Sequence, residues 1–121
     1  MYQKIEEWLN NVLKQEIPSD VIAFNFNLYE DINNNWSIEL VGTESFDIDD
    51  EDWSCQEVTD FGTRDNPLCW HEEAEWNKIL KEITSILNEY LDNGEFSNIL
   101  KNSKGIGVGF VDGDIEILYS K

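Results

Sequence analysis

The chain has 121 residues, 40% of them hydrophobic and 12% aromatic, which is enough for one domain spanning residues 1–121 with its own core. Its 26 acidic residues outnumber eight bases, so the net charge is −18. Because nucleic acids and anionic membranes are bound through Lys and Arg, this balance argues against both as ligands and favours a basic protein, a cation or plain solubility.

The first elements follow from hydrophobic periodicity. In residues 2–15 the apolar positions recur three and four residues apart, which predicts an amphipathic helix. Residues 21–29 and 36–41 alternate between apolar and polar side chains instead, which predicts two half-buried strands. Residues 31–35 between them are rich in asparagine, which is typical of a tight turn, so the two strands are expected to form an antiparallel hairpin.

The next segment is the most acidic part of the chain. Residues 15–77 contain 17 acids and one base and so carry −16 of the total −18. The densest stretch, which we call the acidic loop, is residues 44–52, in which six of nine side chains are carboxylates. They are Glu44, Asp47, Asp49, Asp50, Glu51 and Asp52. Since repulsion between like charges opposes folding, charge this concentrated indicates a partner of opposite sign.

The remaining elements complete the pattern. Residues 53–61 are compatible with a short third strand, and residues 68–91 carry a continuous apolar stripe that predicts a long helix ending at Asn93-Gly94. In residues 104–119, the Asp112-Gly113 pair is a two-residue type I′ hairpin signal. That register would pair residue 110 with 115, 108 with 117 and 106 with 119.

These elements predict an α+β fold. We expect an antiparallel sheet built from two hairpins, with the N-terminal helix and the long central helix packed on one face. The opposite face would carry Asn25, Asn27, Ser37, Glu39 and the glycines of residues 105–109, and it would be largely open or only lightly covered.

No dedicated metal or cofactor site is expected. An EF-hand loop beginning at Asp47 would have Asp52 where glycine is needed and Val58 where a bidentate glutamate is needed. Cys55, Cys69 and His71 have poor spacing for zinc, and the two cysteines are expected to pack in the core. The same residues are poorly placed for nucleophilic catalysis, and the glycines at 105–109 precede a hairpin rather than a helix, which does not match a nucleotide-binding loop.

The localisation expected from sequence is cytoplasmic. No apolar run is long enough to span a membrane, the N-terminus lacks the features of a signal peptide, and two cysteines do not form a disulfide framework. The oligomeric state is left open.

One segment resembles a known class of proteins. A predicted strand from Trp36 leads into an F-D-x-x-D-x-D-W-x-C turn that ends at Cys55, and together these residues resemble small acidic bacterial immunity proteins of polymorphic or contact-dependent toxin systems. The resemblance covers about 20 of the 121 residues. It implies a stoichiometric inhibitor that binds a secreted toxin domain in the cytoplasm. From the residues themselves, neither a catalytic activity nor a cofactor is expected.

The charge favours the same function independently, because an acidic inhibitor is steered towards a basic toxin domain. The expected partner-binding residues are the six carboxylates of the acidic loop, with Glu57 and Asp60 as flanking charges and Phe46 and Trp53 as apolar anchors. The alternative is that Phe46 and Trp53 hold the loop onto the core. A second class of function also stays open, namely a domain that binds a small molecule or a divalent cation through the acidic loop or the open sheet face.

Overall fold

A computed structural model describes residues 1–63 and 65–121, except for the side chains of Thr59 and Asp60. The helices are α1 (Tyr2–Val12), α2 (Trp76–Asn93), α3 (Ser97–Lys101) and a 3₁₀ helix at Glu51–Cys55. The strands are β1 (Ala23–Glu30), β2 (Asn35–Thr43), β3 (Glu57–Gly62), β4 (Leu68–His71), β5 (Gly105–Phe110) and β6 (Glu116–Ser120).

The strands form one mixed sheet. Its order is β3-β2-β1-β5-β6, and β4 pairs with the other half of the same edge of β2. Strands β1 and β2 are antiparallel, as are β5 and β6, whereas β1 and β5 are parallel with Phe26 opposite Val108. The α+β class is therefore confirmed, and both hairpins are present, but the predicted antiparallel sheet is wrong because it is mixed and also contains β3 and β4. Strand β5 reaches the edge of β1 only after α2 and α3. A long connection through helices allows two strands to pair in parallel, which a tight turn does not.

The long helix predicted for residues 68–91 is wrong in its first turns. Residues Leu68–His71 form β4, in which Trp70 lies opposite Trp36, and α2 begins only at Trp76. Hydrogen bonding to an unfilled part of β2 outweighs the helical pattern in this short segment. From Ile79 onward the predicted stripe is buried except for the half-buried Leu80, and the helix ends at Asn93 before Gly94 as expected.

The two turns differ from each other. Asn33 and Asn34 both have φ near 60°, as a type I′ turn requires, and the Asn35 N–H donates to the Ile32 carbonyl. None of the seven glycines has a positive φ, so the type I′ prediction at Asp112-Gly113 is wrong. There the Gly113 N–H donates to the Phe110 carbonyl over 2.9 Å. Residue 106 pairs with 119 as predicted, but Val108 pairs with Glu116, one residue away from the predicted register.

One hydrophobic cluster joins the two long helices to a single face of the sheet. Side chains of α1 and α2 contribute to the same buried cluster as the apolar side chains of β1, β2 and β5. The opposite face, predicted to be largely open or only lightly covered, is more deeply buried at two of its polar positions. Asn25 is fully buried and Glu39 is only 3% exposed. Within the described ranges, no helix is both long and apolar enough to cross a membrane.

A candidate protein-binding surface at the acidic loop

The acidic loop leaves the sheet at the end of β2 and is closed at its base. The Glu44 N–H donates to the Gln56 carbonyl over 2.9 Å, and the Thr43 hydroxyl donates to the Ser45 carbonyl over 2.9 Å. The first bond brings the two ends of residues 44–56 together, and the second fixes the backbone where the segment leaves β2. Residues 44–56 thus form a closed loop that leaves the sheet after β2 and returns to it at β3.

Two of the loop's own aspartates hold its backbone. One carboxylate oxygen of Asp47 accepts from the Asp49 N–H at 2.9 Å, and one of Asp50 accepts from the Asp52 N–H at 3.0 Å. The second contact caps the 3₁₀ helix, where a carboxylate satisfies a backbone donor that would otherwise lack a partner. Asp47 and Asp50 therefore combine surface charge with a structural role.

Phe46 and Trp53 attach the loop to the sheet. Trp53 is 3% exposed and Phe46 is half-buried, and their rings meet edge to face with centroids 4.9 Å apart. A Cβ at Gly105 would overlap the Phe46 ring, and one at Gly107 would lie 3.1 Å from the Trp53 ring. The glycines of β5 thus leave the space that the two rings fill. Trp53, expected as a possible anchor for a partner, supports the loop from below.

A chain of polar side chains lies on the sheet face beneath the loop. Asn25 donates to Asn27 over 2.7 Å, Asn27 donates to a carboxylate oxygen of Glu39 over 3.0 Å, and the Tyr29 hydroxyl donates to the same oxygen over 2.7 Å. These donors stabilise a carboxylate that is only 3% exposed. The Asn25 side-chain oxygen has no hydrogen-bond partner among the described residues.

The predicted charges lie at the surface of the loop. Glu44, Asp47, Asp49, Asp50, Glu51 and Asp52 are all exposed, whereas Glu57 is half-buried at the start of β3. The side chain of Asp60 lies outside the part of the chain that the structure describes. Six of the eight charges proposed from sequence are therefore accessible to a partner.

The acidic loop also contacts the turn between β5 and β6, which the sequence did not connect with it. A carboxylate oxygen of Glu51 accepts from the Ile115 N–H over 3.0 Å. This contact places the loop beside the exposed carboxylates of Asp112, Asp114 and Glu116. We call these three residues together with the acidic loop the acidic surface.

Three exposed apolar side chains belong to this region and were not predicted as site residues. Ile48 is 57% exposed within the acidic loop, Val111 is 51% exposed in the β5–β6 turn, and Trp76 is 55% exposed at the start of α2. Of the three, only Ile48 could have been recognised from the sequence, because it is an apolar residue between acidic ones. Trp76 belonged to the predicted apolar stripe of the helix, so its exposure could not be read from periodicity.

Two depressions flank the β5–β6 turn. One, of about 430 Å³, lies between the turn and the 3₁₀ helix and is lined by residues that include Glu51, Asp52 and Glu57. The other, of about 820 Å³, lies between the turn and the start of α2 and includes Trp76 and Phe110. Val111 and Gly113 line both depressions, so the two are neighbours on one surface.

Crowding of carboxylates is evident at one further position. Burial raises the pKa of Glu82 above its ordinary value, and the hydrogen bond and charge of nearby Glu72 raise this pKa further, while Lys78 opposes them. Glu72 lies just after β4, where its backbone carbonyl accepts from the Trp36 indole N–H over 2.9 Å. The approach of the Glu72 carboxylate thus raises the pKa of Glu82 in addition to the effect of burial.

The cysteine prediction is wrong. Cys55 and Cys69 are free and exposed rather than packed in the core, because one ends the 3₁₀ helix and the other points away from the core in β4. His71 is also exposed, with its Nδ1 3.2 Å from the Asn35 side-chain oxygen. Across residues 1–63 and 65–121, no group of three His, Cys, Asp or Glu side chains is arranged to hold a metal ion.

Comparison of the chain with family models, with curated proteins and with solved structures finds no match.

Proposed function

We propose that this chain is a non-enzymatic protein-binding module, an immunity protein that neutralises a basic toxin domain in the cytoplasm. The observation that carries the proposal is the acidic surface itself. Its loop carries six exposed carboxylates on a backbone fixed by hydrogen bonds and by the packing of Phe46 and Trp53 against β5.

Preorganisation of the loop favours binding over mere solubility. A loop that serves only solubility gains nothing from a fixed shape, whereas a binding loop that is already ordered loses less conformational entropy on association. The buried Trp53 and the closed loop base both supply such order. The loop is therefore suited to present its charges in one arrangement.

The charge also suits the proposed partner. Toxin domains that cleave nucleic acids bind phosphates through basic surfaces, and a surface dense in carboxylates is complementary to them. Electrostatic steering would speed association, and occupation of the phosphate-binding surface would block the substrate. The exposed Ile48 adds an apolar contact within a polar rim, an arrangement typical of protein interfaces.

The experiment uses the C-terminal domain encoded by the neighbouring gene as partner and measures its dissociation constant by calorimetry at 50 and 300 mM NaCl. We expect one-to-one binding that weakens at least tenfold at the higher salt concentration, as for association dominated by charge.

Asp49→Asn combined with Asp52→Asn is the test variant, because it removes two exposed charges and leaves the structural acceptors Asp47 and Asp50 intact. Glu89→Gln with Asp92→Asn is the matched control, since it removes the same charge from exposed sites in the last turns of α2. We expect the first pair to weaken binding roughly tenfold and the second by less than twofold. Absence of a complex at 50 mM NaCl, or equal effects of both pairs, would contradict the proposal.

A further inference from the structure

We infer that the depression between the start of α2 and the β5–β6 turn, which we call the tryptophan groove, binds an arginine or lysine side chain on a segment of the basic partner protein. This inference takes the identity of the partner from the proposed function, but the kind of side chain that binds follows from the groove itself. None of the groove residues was among the site residues predicted from sequence.

The groove has an apolar floor and a fixed aromatic wall. Leu28, Leu80 and Phe110 line it, and the Trp76 ring stands edge to face with Phe110 at a centroid distance of 6.2 Å and an angle of 89°. Phe110 also contacts the buried Trp36 ring at 6.0 Å. Trp76 is therefore held by a packed aromatic cluster although 55% of its surface is exposed.

The rim of the groove is acidic. Its carboxylates are those of Glu30, Asp112, Asp114 and Glu116, and no Lys or Arg is among the described residues that line it. The Thr84 hydroxyl of α2 donates to a carboxylate oxygen of Glu116 over 3.5 Å, so this rim residue contacts the helix. The positive end of the α2 macrodipole, about half an elementary charge, opposes a cation, but four carboxylates outweigh it.

This combination selects a particular kind of ligand. Arg and Lys side chains carry an apolar stem that can lie on the floor and a cation that can contact both the Trp76 ring and the rim carboxylates. Calcium and magnesium would gain nothing from the aromatic wall, because they require several oxygen ligands. An anionic ligand would be repelled by the rim.

The position of the groove indicates a protein segment rather than an enclosed small molecule. Its volume of about 820 Å³ exceeds that of one side chain, and it borders the depression beside the 3₁₀ helix through Val111 and Gly113. A basic segment could therefore cross the β5–β6 turn and contact both the groove and the acidic loop. Charge complementarity along this path favours a basic partner over a second copy of this acidic chain.

The test titrates the ¹⁵N-labelled protein with acetyl-tetraarginine amide and follows the Trp76 indole and Gly113 amide resonances. The same peptide with citrulline in place of arginine keeps the shape but lacks the charge. We expect saturable shifts at both resonances with arginine and none with citrulline. Equal binding of the two peptides would overturn the inference.

Variants separate the groove from general electrostatic attraction. Trp76→Ala and the pair Asp112→Asn with Asp114→Asn should each weaken peptide binding roughly tenfold, whereas Asp49→Asn with Asp52→Asn should weaken it less than twofold. Trp76→Phe keeps an aromatic face and should lose less affinity than Trp76→Ala. Thermal unfolding of each variant verifies that it is folded, and equal losses from groove and loop variants would overturn the inference.

The outcome can be distinguished from that of the proposed function. If the neighbouring gene product binds wild-type protein and groove variants equally well, the groove inference fails and the proposed function stands. If the arginine peptide binds in the groove but the gene product does not bind at all, the groove chemistry stands and the immunity function fails.

Discussion

Tyr90 shows how much one buried polar side chain can determine in this protein. Its hydroxyl donates to the Asn10 side-chain oxygen over 2.7 Å and accepts from the Phe96 N–H over 3.3 Å, so it joins α2 to α1 and to the start of α3. Burial, the dominant cause, raises the pKa of Tyr90 from 10.0 to about 12, against the opposing effect of the Phe96 N–H. The folded state therefore keeps this phenol neutral when an unfolded chain would ionise it.

We expect Tyr90→Phe to lower the free energy of unfolding at pH 7 by about 1–2 kcal/mol, because the half-buried Asn10 and Phe96 each lose a hydrogen bond. We also expect Tyr90→Phe to change how the free energy of unfolding depends on pH. Between pH 10 and 12 the unfolded wild-type chain has released a proton that native Tyr90 retains, so stability falls as pH rises through this window. Urea unfolding from pH 8 to 12 should show a shallower fall for Tyr90→Phe.

Tyr119→Phe is the matched control, since Tyr119 is a half-buried tyrosine in β6. It should keep the wild-type fall in stability between pH 10 and 12. A fall of the same size in Tyr90→Phe would mean that Tyr90 does not carry this pH dependence.

At the scale of elements, the acidic loop depends on close approach to β5. Phe46 and Trp53 pack where Gly105 and Gly107 carry no side chain, and the buried polar chain to Glu39 lies beneath. These glycines alternate with Ile106 and Val108, which face the opposite side and belong to the hydrophobic cluster. A single strand thus supports both the helical core and the loop.

Gly105→Ala should therefore displace Phe46 and destabilise the protein by about 1–3 kcal/mol, as overpacking does. Gly62→Ala is the matched control, because it is also a strand glycine but an added Cβ would meet nothing closer than 3.9 Å. Its effect on stability should be near zero. Urea unfolding measures both variants, and equal destabilisation would contradict the packing described for Phe46.

At the scale of the whole molecule, charge dominates. A net charge of −18 on 121 residues gives self-repulsion that the fold must overcome. The hydrogen bond from the Ile115 N–H to Glu51 holds the acidic loop beside the acidic β5–β6 turn. We expect repulsion between carboxylates to be strongest there. A basic partner would relieve it on binding, so stability and association are linked by the same charges.

Raising NaCl from 10 to 300 mM should increase the melting temperature by several degrees, because the screening length falls from about 30 Å to less than 8 Å. Asp49→Asn with Asp52→Asn should raise the melting temperature at 10 mM NaCl and reduce its dependence on salt. Differential scanning calorimetry measures both effects. A melting temperature that does not change with salt would show that repulsion contributes little to stability.

Local patterns predicted the elements that depend on neighbours along the chain. The apolar spacing around Leu9 gives α1, alternation around Phe26 and Leu40 gives the first hairpin, and Gly94 follows the end of α2. Residues 68–71 were assigned to the wrong element because four residues hold too little periodicity to separate a strand from a first helical turn. Of the candidate site, the acidic-loop carboxylates could be named from the sequence and are exposed, whereas Trp76 and the β5–β6 turn could not be named.

Composition and short-range spacing along the chain were sufficient to predict the α+β class, the negative charge and its concentration in residues 44–52. Three features emerge only from the folded chain: β1 and β5 pair in parallel, Trp53 is buried, and the acidic loop contacts the turn that carries the carboxylates of residues 112–116. These features depend on contacts between residues more than 50 positions apart, and nothing in either segment alone specifies which distant partner it will pack against.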